Sequence, residues 1–245
     1  MKTTDALPLL SARKLTKRFG GVLAVSDFDL RVYPGEIVGL VGPNGAGKTT
    51  TFNLISGFLK PTGGQLILDG IDITGHSPSA ISRRGLVRTF QHASYLPDLT
   101  AEENIRIGVL KSISDPGERT ARIAEVAAMT GLSHLLGVKA AAMPHGHQRL
   151  LSMAIAIGAK PRLLGLDEPL TGLAGPEVEA ALGLIRSLRD EHGTSILLVD
   201  HNMSAVMKTC DRIVVLHHGK LLAEGRPLDI RSNDEVIKAY LGDTE

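Results

Sequence analysis

The sequence predicts an α/β fold with a mostly parallel central sheet, and three observations lead to it. Short apolar runs of strand length recur along the chain, helix-like segments separate several of them, and a glycine-rich loop joins one run to a helix. Parallel strands need long, right-handed crossover connections, so this alternation favours a parallel sheet. With 245 residues, the chain is long enough for one such domain with a smaller lobe.

The amino-terminal part predicts strands of two kinds. Residues 9–33 mix β-branched and apolar residues around a Gly-Gly turn, which indicates two or three antiparallel strands. Further apolar runs predict short strands at residues 36–41, 65–68 and 86–90. A helix is predicted to begin soon after the first of these runs, at about residue 50.

Helical periodicity replaces the short apolar runs from about residue 92 to residue 160, which indicates a helical lobe inserted into the core. Strand patterns return at residues 163–167, 195–199 and 212–216, and a helix is predicted over Glu177–Glu191. We therefore expect a single domain, residues 1–245. Its parts are a core with an antiparallel subdomain, residues 1–91 and 161–245, and a helical subdomain, residues 92–160.

Composition excludes several classes of function. The formal net charge of +1 argues against broad electrostatic capture of nucleic acid or anionic lipid. Aromatic residues, at 3 % with no Trp, are too few for platforms that stack single-stranded nucleic acid. The single Cys210 permits no internal disulfide, which suits a reducing compartment. The chain has neither the apolar stretch of a secretion signal nor a run of about eighteen apolar residues that could span a bilayer.

A glycine-rich loop carries the strongest chemical pattern in the chain. It reads Gly42-Pro43-Asn44-Gly45-Ala46-Gly47-Lys48-Thr49 and fits the phosphate-binding pattern of Gly, four residues, Gly, Lys and Ser or Thr. Glycines let the backbone curl so that its N–H groups point at phosphate oxygens. Lys48 adds a cation for the β and γ phosphates, and the Thr49 hydroxyl suits Mg2+. A strand before the loop and a helix after it are the setting that supports this interpretation.

Polar side chains follow three of the predicted strands. Asp167 and Glu168 close one strand, where one carboxylate can hold the Mg2+ shell while its neighbour polarises water. His201 and Gln91 each follow another strand. Because the carboxyl ends of parallel strands face the ligand crevice, we expect these side chains near the glycine-rich loop. A hydrogen-bonded structural histidine and an ordinary loop glutamine are the alternatives.

In their order along the chain, these pieces resemble the ATP-binding subunits of ABC transporters over nearly the whole length. The matching pieces are Gly42–Thr49 as Walker A, Gln91 as the Q-loop, Leu163–Asp167 as Walker B with Glu168 next, and His201 as the switch histidine. The resemblance implies a P-loop NTPase core of the ABC ATPase type, with an N-terminal antiparallel β subdomain and an inserted helical subdomain. It also implies hydrolysis of ATP with Mg2+.

The resemblance further implies roles for individual residues. The nucleotide-binding set is Gly42, Pro43, Asn44, Gly45, Ala46, Gly47, Lys48, Thr49, Thr50 and Phe19. Thr49, Gln91 and Asp167 would order Mg2+. Glu168 would activate the attacking water, and His201 would hold the γ-phosphate. Phe19 resembles the aromatic residue that stacks on adenine, and a packed core phenylalanine is an equal alternative.

Three further segments look like the subgroup that serves hydrophobic amino-acid uptake, namely Phe19–Gly21, Arg88–Gln91 and Val236–Gly242. They imply an importer for branched-chain amino acids or related small solutes. The implied partners are a second ABC ATPase subunit, transmembrane permease subunits and, indirectly, a solute-binding protein, with no nucleic acid. The implied location is the cytoplasmic face of the membrane, by attachment to the permease.

The chain departs from the family pattern in its signature loop, which normally reads Leu-Ser-Gly-Gly-Gln. The matching stretch is Met143-Pro144-His145-Gly146-His147-Gln148. Pro144 has neither the hydroxyl of serine nor a backbone N–H, so we expect the ATP site that this loop completes to be the poorer one. A mixed dimer therefore fits better than a self-paired dimer. His145 and His147, with no partnered carboxylate or Cys nearby, are weak evidence for a metal site.

Other interpretations stay open from the sequence. An exporter that extracts lipids would carry the same motifs. A soluble ABC-type switch acting on DNA or ribosomes would often carry two cassettes or basic arms, and a P-loop kinase would leave Gln91 and His201 unexplained. The segment Ser94–Leu99 is apolar enough to receive the end of a permease helix, and a satellite cluster that packs the helical lobe is the alternative.

Overall fold

The computed structural model describes residues 7–89 and 95–241. Gln91 and the first residue of the predicted docking segment, Ser94, lie outside the described residues. The strands are β1 Leu10–Phe19, β2 Val22–Val32, β3 Ile37–Val41, β4 Gly63–Leu68, β5 Ile71–Asp72, β6 Leu86–Arg88, β7 Leu163–Asp167, β8 Ser195–Val199, β9 Arg212–His217 and β10 Lys220–Gly225. The helices are α1 Lys48–Ile55, α2 Pro78–Arg83, α3 Ala101–Leu110, α4 Pro116–Met129, α5 His145–Gly158, α6 Gly175–Asp190, α7 Met203–Thr209, α8 Pro227–Arg231 and α9 Asp234–Leu241.

The predicted antiparallel region forms a four-stranded sheet in the order β2-β1-β4-β5. Its longest pairing is the β1–β2 hairpin, in which Leu10 lies opposite Val32 and Phe19 lies opposite Val22. The two glycines between the strands form the turn, and Gly20 has a φ of 53°, a left-handed conformation that glycine adopts without strain. This hairpin brings the start of β2 to the glycine-rich loop.

The second sheet has six strands in the order β10-β9-β3-β8-β7-β6. Neighbouring strands from β9 to β6 pair in parallel, and β10 is an antiparallel edge strand. The chain runs from β3 at the centre to partners on both sides, so the carboxyl ends of β3, β7 and β8 lie at one edge. The predicted fold class, an α/β core with a separate antiparallel sheet, is confirmed.

Helices α3, α4 and α5 occupy the stretch that showed helical periodicity. Between residues 95 and 160, the structure describes helices, short turns and a single isolated bridge between Thr100 and Lys139. Helix α3 begins with a reciprocal cap in which Thr100 accepts from the Glu103 amide and Glu103 accepts from the Thr100 amide. The carboxy-terminal elements β10, α7, α8 and α9 were not predicted, because each is short and partly exposed.

Strand β3 is buried on both faces, and alternate residues belong to different cores. Ile37 and Val41 pack in the core that includes α3, α5 and α6. Val38 and Leu40 pack in the core beneath the antiparallel sheet. The strand therefore holds the glycine-rich loop between two packed layers. Within the described ranges, no helix is long and apolar enough to cross a bilayer.

Candidate nucleotide-binding site

The glycine-rich loop leaves the carboxyl end of β3 and leads into α1. A cavity of about 470 Å³ lies beside it and is lined by Val22, Leu23, Ala24, residues 44–50, Glu168, His218 and Gly219. The loop thus contributes seven consecutive residues of the predicted nucleotide-binding set. A larger groove of about 970 Å³ crosses the antiparallel sheet and contains none of these residues.

Gly42 and Pro43 do not line the cavity but hold the lysine that does. The Lys48 Nζ donates to the Gly42 carbonyl at 2.7 Å and to the Pro43 carbonyl at 3.1 Å. Burial lowers the pKa of Lys48, and the nearby Glu168 carboxylate opposes that shift. A half-buried ammonium at the start of a helix is a suitable partner for phosphate oxygens.

Two glycines in the loop are required by close backbone contacts. A Cβ atom on Gly42, whose φ is 155°, would clash with the Leu216 carbonyl of β9. A Cβ on Gly47, at a φ of 103°, would lie 2.6 Å from the Ala24 carbonyl of β2. The loop therefore rests directly on the main chains of two neighbouring strands, which fixes the direction of its amides.

The two predicted carboxylates lie at the end of β7 but in different surroundings. Asp167 is only 4 % exposed, and burial raises the pKa of its carboxyl. Glu168 has a φ of 48° and lines the cavity, and its amide donates to the Val199 carbonyl of β8 at 2.7 Å. The left-handed backbone at Glu168 therefore turns the chain, so that the Asp167 carboxylate is buried while the Glu168 carboxylate lines the cavity.

Arg88, at the end of β6, is a residue to which sequence reasoning assigned no role. Its Nη2 lies 3.1 Å from the Asp167 carboxylate, and its Nη1 donates to Asn53 Oδ1 at 2.6 Å. The guanidinium also lies over the rings of Phe52 and Phe58, at 4.6 and 5.0 Å from their centroids. Arg88 supplies the opposite charge that a buried carboxylate needs. No local pattern in the sequence indicates this ion pair, because it forms only through the pairing of β6 with β7.

His201 lies at the rim, next to Glu168. Its Nδ1 is 4.0 Å from Glu168 Oε1, and 62 % of its side chain is exposed. The preceding Asp200 is buried, and it accepts hydrogen bonds from the amides of Asn202 at 2.8 Å and Leu170 at 3.4 Å. Burial raises the pKa of Asp200. Asp200 therefore braces the loops after β7 and β8, which keeps His201 and Glu168 adjacent.

Phe19 lies next to the cavity, and its predicted contact with adenine stays a prediction. It lies opposite Val22, which lines the cavity, but Phe19 is not among the lining residues. Its side chain is 45 % exposed, and the Lys17 ammonium lies 5.0 Å from its ring centroid. His218, from the β9–β10 turn, does line the cavity, although no sequence pattern indicated a role for it.

The residues fit Mg2+ as a partner of bound phosphate rather than as a fully protein-held ion. Thr49 supplies a hydroxyl at the cavity, and Asp167 and Glu168 supply carboxylates at the end of β7. Such hard oxygen donors, few in number, are typical of Mg2+ sites completed by phosphate and water. The described part of the chain holds no group of three or more His, Cys, Asp or Glu side chains that could bind a metal ion by themselves.

The altered signature loop leads into α5. Pro144 occupies the position before the helix, and no side chain caps the first turn. Glu177, from α6, packs its carboxylate against Gly146, where a Cβ would clash with it. A Cβ on Gly172, in the loop after β7, would lie 2.9 Å from the His145 ring. The start of α5 therefore has a carboxylate and an imidazole beside it, whereas the glycine-rich loop has the Lys48 ammonium.

Comparisons with known proteins agree with this geometry. The family model described as "ABC transporter" matches residues 25–171, and one described as "Branched-chain amino acid ATP-binding cassette transporter" matches residues 220–245. The chain is 42 % identical to the high-affinity branched-chain amino acid transport ATP-binding protein LivG of Escherichia coli K12, over 96 % of this chain and 98 % of that protein. It is 40 % identical to BraF of Pseudomonas aeruginosa, a protein of the same description, with the same coverage.

More distant similarity extends to a different transport system and to solved structures. The lipopolysaccharide export system ATP-binding protein LptB of Haemophilus influenzae is 34 % identical over 97 % of this chain and 98 % of that protein. The ADP conformation of MJ1267, an ATP-binding cassette of an ABC transporter, has a TM-score of 0.86 at 27 % identity and covers 97 % of this chain and 100 % of that one. A dimeric post-hydrolysis state of the cassette MJ0796, bound to ADP and Pi, has a TM-score of 0.80 at 25 % identity, with 89 % and 98 % covered. The chain belongs to the ATP-binding subunits of ABC transporters, a family of ATPases.

Proposed function

We propose that this chain is the ATP-hydrolysing, energy-coupling subunit of an importer for branched-chain amino acids or related small solutes. The observation that carries the proposal is the 42 % identity to LivG over nearly the full length of both proteins. The carboxy-terminal match over residues 220–245 supports the same subgroup. Export of lipopolysaccharide is the second candidate, favoured only by the 34–36 % identity to LptB proteins.

At its own nucleotide site, the chain binds the triphosphate through Lys48 and the amides of residues 45–50. Thr49 and Asp167, with Gln91, would hold Mg2+, which would neutralise phosphate charge during hydrolysis. Glu168 orients and activates the attacking water, since its carboxylate lines the cavity. His201 holds the γ-phosphate from the neighbouring rim. The 4.0 Å separation of His201 Nδ1 and Glu168 Oε1 supports their action on the same phosphate.

The transport proposal is tested by uptake into cells that lack the native subunit. Wild-type chain, co-expressed with its permease and partner ATPase, should restore ATP-dependent uptake of labelled leucine, and Glu168→Gln should abolish it. Glu191→Gln, on the exposed end of α6, is the matched control and should behave as wild type. Normal lipopolysaccharide export that depends on this chain, with no leucine uptake, would instead establish the second candidate.

ATP-binding subunits of this family act in pairs and with transmembrane partners, and we propose a mixed pair here. The signature loop of this chain offers Pro144 where a hydroxyl would face the ATP of the partner subunit. Glu177 places a carboxylate against Gly146, which further disfavours phosphate at this helix end. A partner subunit with an intact signature loop would restore the site on this chain, whereas a self-paired dimer would have two weak sites.

Permease docking is proposed at the surface formed by residues 95–99 and α3. Leu96 is 52 % exposed, and Ile107 and Leu110 of α3 are 45 % and 50 % exposed. The fully buried Asn104 holds this segment in shape, because its Oδ1 accepts from the Leu96 amide at 2.7 Å and its Nδ2 donates to the Leu96 carbonyl at 3.0 Å. Tyr95 packs inward against the core, so the alternative role in packing the lobe applies to that residue rather than to Leu96.

Leu96→Arg tests this surface. It should preserve ATP binding and abolish transport, because a charge replaces an apolar contact at the permease. Leu228→Arg, at a leucine that is 76 % exposed on α8, is the control and should transport normally. Normal leucine uptake by Leu96→Arg would remove the docking proposal while leaving the ATPase assignment intact. Such docking would hold the chain at the cytoplasmic face of the membrane.

A further inference from the structure

The turn between β9 and β10 is fastened to the glycine-rich loop by main-chain hydrogen bonds. The Gly219 amide donates to the Ala46 carbonyl at 2.9 Å, and the Ser26 amide of β2 donates to the Gly219 carbonyl at 2.8 Å. One glycine therefore joins the loop, the turn and the antiparallel sheet. A segment held from two sides positions its neighbouring side chain accurately.

The contacts around this turn leave no space for intervening side chains. A Cβ on Gly47 would lie 3.5 Å from the Gly219 Cα, and a Cβ on Gly219 would lie 2.7 Å from the Ala24 carbonyl. The residue before Gly219 consequently stands at the edge of the phosphate-binding loop. That residue is His218.

His218 is presented to the cavity in a constrained conformation. Its φ is 47°, in the left-handed region that few non-glycine residues adopt. Its ring lies beside that of His217, with centroids 4.1 Å apart, and the side chain is exposed toward the cavity that it lines. Strained backbone at the mouth of a ligand cavity often serves binding.

The rest of the lining shows which part of a nucleotide His218 would meet. Lys48, the loop residues after Asn44 and Glu168 line the cavity, and the proposed function assigns them to the phosphates and the attacking water. Next to His218 and Gly219, the remaining wall consists of Val22, Leu23 and Ala24, which are apolar and belong to the start of β2. An apolar wall with one planar ring suits a base rather than an anion.

We propose that His218 contacts the nucleoside end of the bound nucleotide, with its imidazole packed against the base. The inference rests on the proposed function, since it concerns the same ATP site. The contact of Phe19 with the base stays a prediction, and His218 would add a second contact from the β9–β10 turn.

The test compares two probes of the full-length chain by titration calorimetry, Mg-ATP and Mg-tripolyphosphate. His218→Asn removes the ring while keeping a residue that tolerates the left-handed backbone. It should weaken Mg-ATP binding by about three- to tenfold, the range typical of one aromatic contact. It should leave Mg-tripolyphosphate binding unchanged, because that probe has no base. His192→Asn, at an exposed histidine remote from the cavity, is the matched control and should bind both probes as wild type does.

Unchanged ATP binding by His218→Asn would overturn the inference. An equal loss for both probes would also overturn it, because the residue would then support the phosphates or the loop itself. Phe19→Ala is measured in parallel, and a loss of ATP binding confined to that variant would return the base contact to Phe19. Failure of the wild-type chain to bind either probe would instead reject the proposed ATP site, which keeps the two failures distinct.

Discussion

Two glycine-containing loops in this chain each begin a helix, yet they offer different chemistry. The loop before α1 lines a cavity and adds the Lys48 ammonium. The loop before α5 begins with Pro144, has no side-chain cap, and carries the Glu177 carboxylate against Gly146. A helix start favours phosphate only when its amides are free and nearby charges are positive. In the proposed mixed dimer, this subunit would therefore contribute a strong half-site, at its glycine-rich loop, and a weak half-site, at its altered signature loop.

The largest expected effect separates these half-sites directly. In the mixed dimer, Glu168→Gln should lower ATP turnover by about 10²–10⁴-fold at the site on this chain, as expected for loss of a general base. The equivalent substitution in the partner subunit should change total turnover much less, because that site is completed by the weak loop. Steady-state ATPase rates of the two single variants measure the difference. Equal losses from the two variants would contradict the proposed asymmetry.

The second prediction concerns how firmly the strong half-site is built. Arg88→Met should destabilise the fold by about 3–5 kcal/mol, because it leaves the Asp167 carboxylate buried without its partner. Burial already raises the pKa of Asp167 above its value in the unfolded chain. The unfolding free energy therefore falls as pH rises from the pKa of the unfolded chain to the pKa of the folded chain. Removing Arg88 should raise the folded-state pKa of Asp167 further and so widen the pH range over which stability is lost. Urea unfolding should therefore show a larger loss at pH 8 than at pH 5.

Arg162→Met is the control for that measurement. Arg162 also pairs with an aspartate, Asp69, but both side chains are more than half exposed. Solvent screens such a pair, so the variant should lose much less stability. A similar loss in both variants would show that Arg88 has no special role beneath the strong half-site.

Repair of the weak half-site is the third prediction. Pro144→Ser restores a hydroxyl and a backbone N–H at the start of α5, and a hydrogen bond to a charged phosphate is worth about 1.5–3 kcal/mol. In a dimer whose own site is silenced by Glu168→Gln, the substitution should raise the remaining turnover by about tenfold. Pro144→Ala, which restores the N–H without the hydroxyl, should give a smaller gain. No gain from either variant would mean that Pro144 does not limit this site.

The smallest expected effect lies at the carboxy-terminal helix. The Gly42 amide donates a hydrogen bond to the Tyr240 hydroxyl of α9. Burial raises the pKa of this phenol to about 12, and the hydrogen bond opposes that shift. Tyr240→Phe should weaken Mg-ATP binding roughly twofold, the effect of one partly exposed hydrogen bond. Tyr33→Phe, at the opposite end of β3, should leave binding unchanged in the same calorimetric titration. A stronger effect of the Tyr33 variant would exclude α9 as a support of the loop.

Sequence alone predicted the parts of the site that depend on local order. The glycine-rich loop, Asp167, Glu168 and His201 follow strands, and strand ends in a parallel sheet meet at one edge. The structure places His201 next to Glu168, and it places Lys48 in the cavity lining. The catalytic roles of these residues stay predictions. The assignment of residues 92–160 to a helical subdomain also stays a prediction. Gln91 lies outside the described residues, so its position adds nothing to this comparison.

Other contributions could not be predicted because they depend on contacts between distant segments. Arg88 and Asp167 are 79 positions apart and meet only through the pairing of β6 with β7. His218 enters the site because Gly219 bonds to the glycine-rich loop, a contact that no local pattern encodes. Phe19 lies opposite the cavity-lining Val22 and beside Lys17, and its contact with the base stays a prediction.

Asn104 has a mechanical consequence for the exposed segment around Leu96. The buried side-chain amide of Asn104 hydrogen-bonds both to the main chain of Leu96 and to the Thr100 carbonyl at the start of α3. These bonds couple the position of the segment to that of the helix. We therefore expect a displacement of Leu96 to move α3 as a whole rather than to bend the segment. This coupling is reciprocal, so a shift of α3 should also displace Leu96 and any permease helix that contacts it.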